Sequence, residues 1–228
     1  EISGVAIRGY DFSSGPDYGK IVSSFHGSGF QATNLAKAIE IINRMIAEKA
    51  KIYFGYTSNI ISSGLRETIN FLVKNKKVDI CVTTGGGIEE DIIKCLGDFI
   101  LGDFRAKGSD LKARSVNRIG NIFVPNSRYV KFEKFVMPIL EELYHEQKSR
   151  GKPFTTYEIV WKLGERIGNE RSICYWAWKN KIKIHCLTIM DGSLGDMIYF
   201  FKHKHEDFVI DISEDVKELN NSTIGLDK

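Results

Sequence analysis

Apolar residues recur along this chain in two rhythms, one helical and one of short buried runs. Leu35, Ala38, Ile39, Ile42, Met45 and Ile46 lie at helical spacing, with Thr33 or Asn34 placed to cap the helix they predict. Residues 8–29 before them are rich in Gly, Ser and Asp and read as an irregular arm. Residues 51–57 form a short apolar run bounded by polar residues, the pattern of a buried strand, and Ile61, Leu65, Ile69 and Leu72 mark one face of a helix. A second buried strand is predicted over 78–84, stopped by glycines 85–87. Glu89, Glu90 and Asp91 follow, and a further helix is read from Ile92. Strand, helix, strand and helix within about fifty residues predict a right-handed βαβ unit in a parallel sheet.

The second half continues the alternation. Residues 102–125 are polar and basic and predict an extended loop, whereas Phe132, Phe135, Val136, Ile139, Leu140 and Leu143 mark a long amphipathic helix. Thr155-Thr-Tyr-Glu158 fits a capping box and opens a shorter helix through Ile167. Tyr175, Trp176 and Trp178 sit on the helix after it, where their spacing suits core packing better than stacking on a cation. A third strand over 182–190 ends at Asp191-Gly-Ser-Leu-Gly-Asp196. A fourth is expected over 208–212, before a last helix from Ser213. The fold class is α/β, a doubly wound, mainly parallel sheet over 51–228 preceded by an N-terminal helical arm over 1–50. Beyond the last helix the rhythm calls for another buried strand, so the domain reads as cut short, its sheet open at an edge. Such an edge favours pairing with a partner over a stable monomer.

Composition narrows the class. Apolar residues at 43% and charged residues at 27% of 228 exclude wholesale disorder. No apolar run is long enough for a membrane helix, and the first residues lack a secretory pattern. A net charge of +3, from 32 basic and 29 acidic residues, gives no electrostatic case for nucleic acid or an anionic membrane. Cys81, Cys95, Cys174 and Cys186 have neither disulfide-framework nor zinc spacing and read as small core residues of a cytoplasmic protein. His203 and His205 lack companions at ligand spacing, so no metal site is expected.

Candidate chemistry gathers at three strand ends: Thr57-Ser58-Asn59, Thr83-Thr84-Gly85-Gly86-Gly87 and Asp191-Gly192-Ser193. Ligands of open α/β sheets bind outside the carboxyl ends of the strands, where glycines admit a phosphate and helix N-termini offer free N–H donors. Neither G-x-G-x-x-G nor G-x-x-x-x-G-K-[ST] is present, so the usual nucleotide fingerprints do not apply, and a glycine triplet also serves a plain tight turn. Glu89, Glu90, Asp91, Asp191 and Asp196 add negative charge. Acids at a helix start are ordinary dipole partners. Beside a dinucleotide crevice they also suit a cation with spread ammonium groups, such as a polyamine.

Residues 8–12, 29–34 and 117–121, with Gly55-Tyr-Thr-Ser-Asn-Ile-Ile-Ser-Ser-Gly64, Val82-Thr-Thr-Gly-Gly-Gly-Ile-Glu-Glu-Asp91, Met137-Pro-Ile-Leu140 and Asp191-Gly-Ser-Leu-Gly-Asp-Met197, resemble the deoxyhypusine synthase family. The resemblance implies a Rossmann-like domain that uses NAD and spermidine. It implies transfer of the aminobutyl group to one lysine of the precursor of translation initiation factor 5A, in a tetramer with sites at dimer interfaces. By resemblance, Ser58, Asn59, Ile60, Ile61 and Ser62 form a first NAD-contacting turn, and Thr84, Gly85 and Gly86 a second, where the family more often has Ala at the place of Gly85. Glu90 and Asp191 also fall to NAD, and Glu89, Glu90 and Asp196 to spermidine. The family's segment with the nucleophilic lysine has no counterpart up to Lys228, so no catalytic residue is assigned here. Two alternatives stay open at this point: an inactive regulatory paralogue subunit, and a related homospermidine synthase-like transferase that accepts putrescine.

Overall fold

Three parallel strands organise the fold, and the helices leaving their ends carry the candidate site. The computed structural model describes residues 2–225; Glu1 and residues 226–228, Lys228 among them, lie outside the described residues. Contacts divide the chain after Ile52.

The N-terminal unit holds two helices, α1 (Tyr18–Ser28) and α2 (Phe30–Ala47), that pack on each other. The irregular arm predicted over 8–29 is therefore helical in its second half. Asp17 starts α1 by accepting from the Lys20 amide at 3.0 Å, and Ser23, Ser24 and Ser28 hydroxyls bond back to α1 carbonyls. Those serines hid the helix, because a polar face with few apolar residues carries little periodicity. Helix α2 starts four residues before Asn34, at a Gly29 whose φ of 79° favours glycine. Thr33 contributes from inside the first turn, its hydroxyl accepting from the Gly29 amide at 3.1 Å.

The second unit opens with β1 (Tyr53–Gly55), then α3 (Ser58–Ser62) and α4 (Arg66–Lys74). Ser63 and Gly64 split the single helix expected from Ile61, Leu65, Ile69 and Leu72. Strand β2 (Ile80–Thr84) runs directly into α5 (Gly85–Leu96). A small antiparallel sheet follows, from β3 (Ile100–Leu101), β4 (Val116–Ile119) and β5 (Ile122–Pro125), with α6 (Gly108–Ala113) between its first two strands. The extended loop predicted over 102–125 is corrected by that sheet. Part of its sequence signal was present: Gly120-Asn121, between Val116–Ile119 and Ile122–Pro125, is a two-residue hairpin, and Gly120 adopts φ 58°.

The remaining elements are α7 (Ser127–Arg150), α8 (Thr156–Ile167), α9 (Ile173–Asn180), β6 (Lys183–Thr188), α10 (Gly192–Lys202) and α11 (Ile212–Thr223). The fourth strand expected over 208–212 reduces to one parallel bridge between Phe154 and Ile210. Asp211 ends it by capping α11 through the Ser213 and Glu214 amides. The main sheet has the order β1-β2-β6, all parallel, so the class is α/β with a parallel sheet and N-terminal helices. The core lies between this sheet and its helices, where Ile88, Ile92, Phe132, Val136, Leu163 and Ile198 are all but inaccessible. Cys81, Cys174 and Cys186 are buried as expected, all four cysteines are free, and Trp176 is buried with Lys74 over its ring. Among the described residues no helix is long and apolar enough to cross a membrane.

The capping box at α8 is complete: Thr155 accepts from the Glu158 amide, and Glu158 accepts from the Thr155 amide at 2.8 Å. Replacing Thr155 with Ala is expected to destabilise the protein by about 1 kcal/mol and lower its melting temperature by about 2–4 °C. An unchanged melt in differential scanning calorimetry would show that Glu158 and the Arg150 beside it hold the turn without the hydroxyl.

Candidate functional site

The pairings Gly55↔Val82 and Thr84↔Thr188 align the three strands, so their carboxyl ends share one edge of the sheet. From that edge start α3 at Ser58, α5 at Gly85 and α10 at Gly192, none with a side-chain cap from its N-cap residue. They approach so closely that a side chain on Gly85 or Gly86 would force a neighbour to shift. A Cβ on Gly85 would lie 2.5 Å from the Asp191 carbonyl, and one on Gly86 would lie 2.6 Å from the Ser58 Cβ. The triplet thus lets three strand tips meet, and packing within the chain accounts for the missing side chains at these two positions. The amides of the first α5 turn remain intrahelically unpartnered, as at any helix N-terminus.

Helix α5 begins at Gly85, so Glu89, Glu90 and Asp91 lie in its second turn and not at its start. The dipole-partner reading therefore fails for them. All three are buried, and they have separate roles. Glu89 reaches across to α10 and accepts from the Leu194 amide at 2.8 Å, capping that helix from outside. Glu90 accepts from the Ser62 hydroxyl of α3. Asp91 turns away from the strand tips: Arg66 donates to it at 2.8 Å, Ser172 at 2.6 Å and the Cys174 amide at 3.0 Å. Asp91 is thereby a structural anchor, which corrects its place in the acidic group read as facing a ligand. Burial, with smaller effects from neighbouring groups, pushes both Glu89 and Glu90 up to about 7.

Of the other residues singled out by sequence, Ser58 is half-buried, Asn59 exposed and Ile60 half-buried, while Ile61 and Ser62 are buried. Ile61 is wholly inaccessible and its carbonyl is taken by Lys94, so it shapes the turn from behind. Thr84 stands at the β2 tip, and its hydroxyl is buried with no hydrogen-bond partner among the described residues. Asp191 is exposed at the α10 N-cap. Asp196 is exposed one turn further on, in a cavity of about 380 Å³ between α7 and α10. Asn126, Tyr129 and Glu133 line the same cavity over apolar Met137, Met197 and Phe200. The Tyr129 hydroxyl is pushed up by burial and by Glu89 and Glu90, which ties this cavity to the acidic pair.

Sequence reasoning missed Tyr129 and Glu133, although their spacing of four places them on one polar face of α7. It also missed Arg66, which is only 1% exposed, because an arginine beside Glu67 reads as surface. His185 of β6 was missed too; its Nδ1 lies 2.7 Å from Asp215 of α11, both fully buried. Among the described residues no three His, Cys, Asp or Glu side chains are grouped to hold a metal ion.

An orphaned hydroxyl and free helix amides at converging strand tips fit the phosphates and hydroxyls of a dinucleotide. The adjoining cavity, apolar along its floor and acidic at Asp196 and Glu133, fits a flexible cation. The fold and site thus define an α/β protein with a strand-tip ligand crevice flanked by carboxylates. A sequence model of the deoxyhypusine synthase family matches residues 20–228. The "Probable deoxyhypusine synthase" of Drosophila melanogaster is 46% identical over 241 residues, covering 96% of this chain and 66% of that protein. The deoxyhypusine synthase of Senecio vernalis is 41% identical over 242 residues, covering 96% of this chain and 65% of that one. The Pyrococcus furiosus relative is 46% identical over 237 residues, with 98% and 70% covered. A crystal structure of a deoxyhypusine synthase candidate from Entamoeba histolytica superposes with a TM-score of 0.74 at 30% identity, covering 96% of this chain and 75% of that one. The chain belongs to the deoxyhypusine synthase family, and it spans about two thirds of the length of these curated relatives.

Proposed function

We propose that this chain is the NAD- and spermidine-binding portion of a deoxyhypusine synthase. In this reading it serves the transfer of the aminobutyl group of spermidine to a specific lysine of the translation initiation factor 5A precursor. A chain segment or partner outside these 228 residues supplies the nucleophilic lysine. The observation that carries the reading is the meeting of three strand tips at Gly85 and Gly86, beside two buried carboxylates and an acidic cavity. NAD, when bound, accepts hydride as spermidine is dehydrogenated.

The first-turn amides of α5, the Thr84 hydroxyl, Ser58 and Asn59 hold the dinucleotide, with Asp191 and Glu90 at its border. Two carboxylates beside phosphates would repel them if both were charged. Held near 7, Glu89 and Glu90 exist partly neutral at physiological pH and take full charge when an ammonium group arrives. Glu90 can also hold or release a proton while its Oε2 accepts from the Ser62 hydroxyl. Asp196 binds an ammonium end of spermidine while Met137, Met197 and Phe200 line its methylenes. Exposed Val130 and Phe200 at the cavity rim are apolar surface suited to a subunit contact, consistent with a tetramer whose sites lie at dimer interfaces.

Asp196→Asn is expected to weaken spermidine binding about ten- to a hundredfold, since a charged hydrogen bond is worth about 1.5–3 kcal/mol, and to change NAD binding less. Calorimetric titration of the full protein with spermidine, NAD present, measures this. Unchanged spermidine affinity would remove Asp196 from the site. Failure of the wild-type protein to bind either NAD or spermidine would overturn the reading as a whole.

A further inference from the structure

Lys94 lies on α5 one turn beyond Glu90, on the same helix face. Its Nζ donates to three backbone carbonyls at the end of α3: Ile61 at 2.9 Å, Ser62 at 3.2 Å and Ser63 at 2.9 Å. An ammonium group has three donors, so all of them are engaged. Burial draws the Lys94 ammonium below the ordinary lysine value, and the three carbonyls are what its donors are spent on, which leaves it as a structural contact rather than a nucleophile. Ser62, whose carbonyl is held by Lys94, is the residue whose hydroxyl donates to Glu90. The two side chains therefore grip the last turn of α3 together, one by its backbone and one by its hydroxyl.

A helix of five residues has too few internal hydrogen bonds to hold its own shape. The other end of α3 meets α5 where Gly86 touches Ser58, with no room for a methyl group. Helix α3 is thus pinned to α5 at both ends, by close packing at Ser58 and by the ammonium at 61–63. We infer that Lys94 is a positioning residue, which holds Ser58 and Asn59 at the dinucleotide crevice and Ser62 against Glu90. The inference rests on the proposed NAD site and adds to it a residue that touches no ligand. Without the ammonium, the carbonyls of buried Ile61 and Ser62 and of half-buried Ser63 lose this contact, and the turn is free to drift from α5.

The test compares wild-type, Lys94→Met, Lys94→Gln and Lys94→Arg forms of the full protein by NAD titration calorimetry, amide hydrogen exchange and thermal melting. Lys94→Met is expected to raise the NAD Kd about tenfold or more and to speed exchange in residues 58–63 before any ligand is added. Lys94→Arg, which keeps charge and several donors, is expected to recover most of both. Should Lys94→Met fail to fold, Lys94→Gln, with fewer donors, is expected to fall between wild type and loss. A lowered melting temperature with the NAD Kd within twofold of wild type, in whichever of Met or Gln folds, would overturn the inference alone. A wild-type protein that does not bind NAD would overturn the inference and the proposed function together.

Discussion

Replacing Arg66 with Met is expected to lower the unfolding free energy by about 3–5 kcal/mol, the usual consequence of stripping one partner from a buried ion pair. Arg66 and Asp91 are 1% and 0% exposed. The guanidinium donates to the Asp91 carboxylate at 2.8 Å, to its carbonyl at 3.1 Å and to the Cys95 sulfur at 2.9 Å. The same carboxylate takes the Ser172 hydroxyl and the Cys174 amide, so one network joins α4, α5 and the start of α9. Methionine fills most of the volume but leaves Asp91 charged and short of its strongest donor. Urea denaturation measures the loss. The double variant Arg66→Met, Asp91→Leu is expected to recover part of it, because an apolar pair leaves no buried charge unpartnered. A single-variant loss under about 1 kcal/mol, or strictly additive losses in the double, would show that the pair is not the anchor.

Glu90→Gln is expected to act in opposite directions on stability and on binding. In the folded protein Glu90 titrates at about 7 against an ordinary 4.5. Between those values the folded state keeps a proton that the unfolded state has released. The contribution of Glu90 to the stability of the unliganded protein therefore falls as pH rises from about 4.5 to 7 and does not return above it. Glutamine keeps an oxygen for the Ser62 hydroxyl and carries no charge to desolvate. The variant is expected to be more stable than wild type by about 1–3 kcal/mol at pH 8 and close to wild type at pH 5. Spermidine affinity at pH 8 is expected to drop about ten- to a hundredfold. Urea melts at both pH values test the first half. A stability difference independent of pH would mean that Glu90 is not held protonated by burial. Titration in buffers of different ionisation enthalpy tests the second, since spermidine should expel protons from the wild-type site near pH 7 and fewer from the variant.

The two variants separate what was visible in the residue order from what was not. The parallel α/β class was legible because residues 51–57, 78–84 and 182–190 are short, mostly apolar and β-branched or aromatic segments that alternate with helical patterns. The strand tips were legible as well, because polar and glycine residues at the ends of such runs have few other uses. The hairpin at Gly120 was written in the sequence but masked by its basic neighbours. Helix α1 was masked by serines whose hydroxyls bond to the backbone. Residues 208–212 looked like a strand because Val209, Ile210 and Ile212 are β-branched. A strand needs a neighbouring ladder, however, and these residues find only Phe154.

Sequence by itself determined the fold class, the family and the set of polar residues at the strand ends, since each depends on local pattern and on order along the chain. Which of three consecutive acids faces which neighbour was decided only by the tertiary structure. Glu89, Glu90 and Asp91 are successive on one helix, so each step turns the side chain by about 100°. One therefore meets α10, the next α3 and the third Arg66. Burial, which raises Glu89 and Glu90 and makes Asp91 an anchor, depends on elements up to a hundred residues away, and no local pattern encodes those distances.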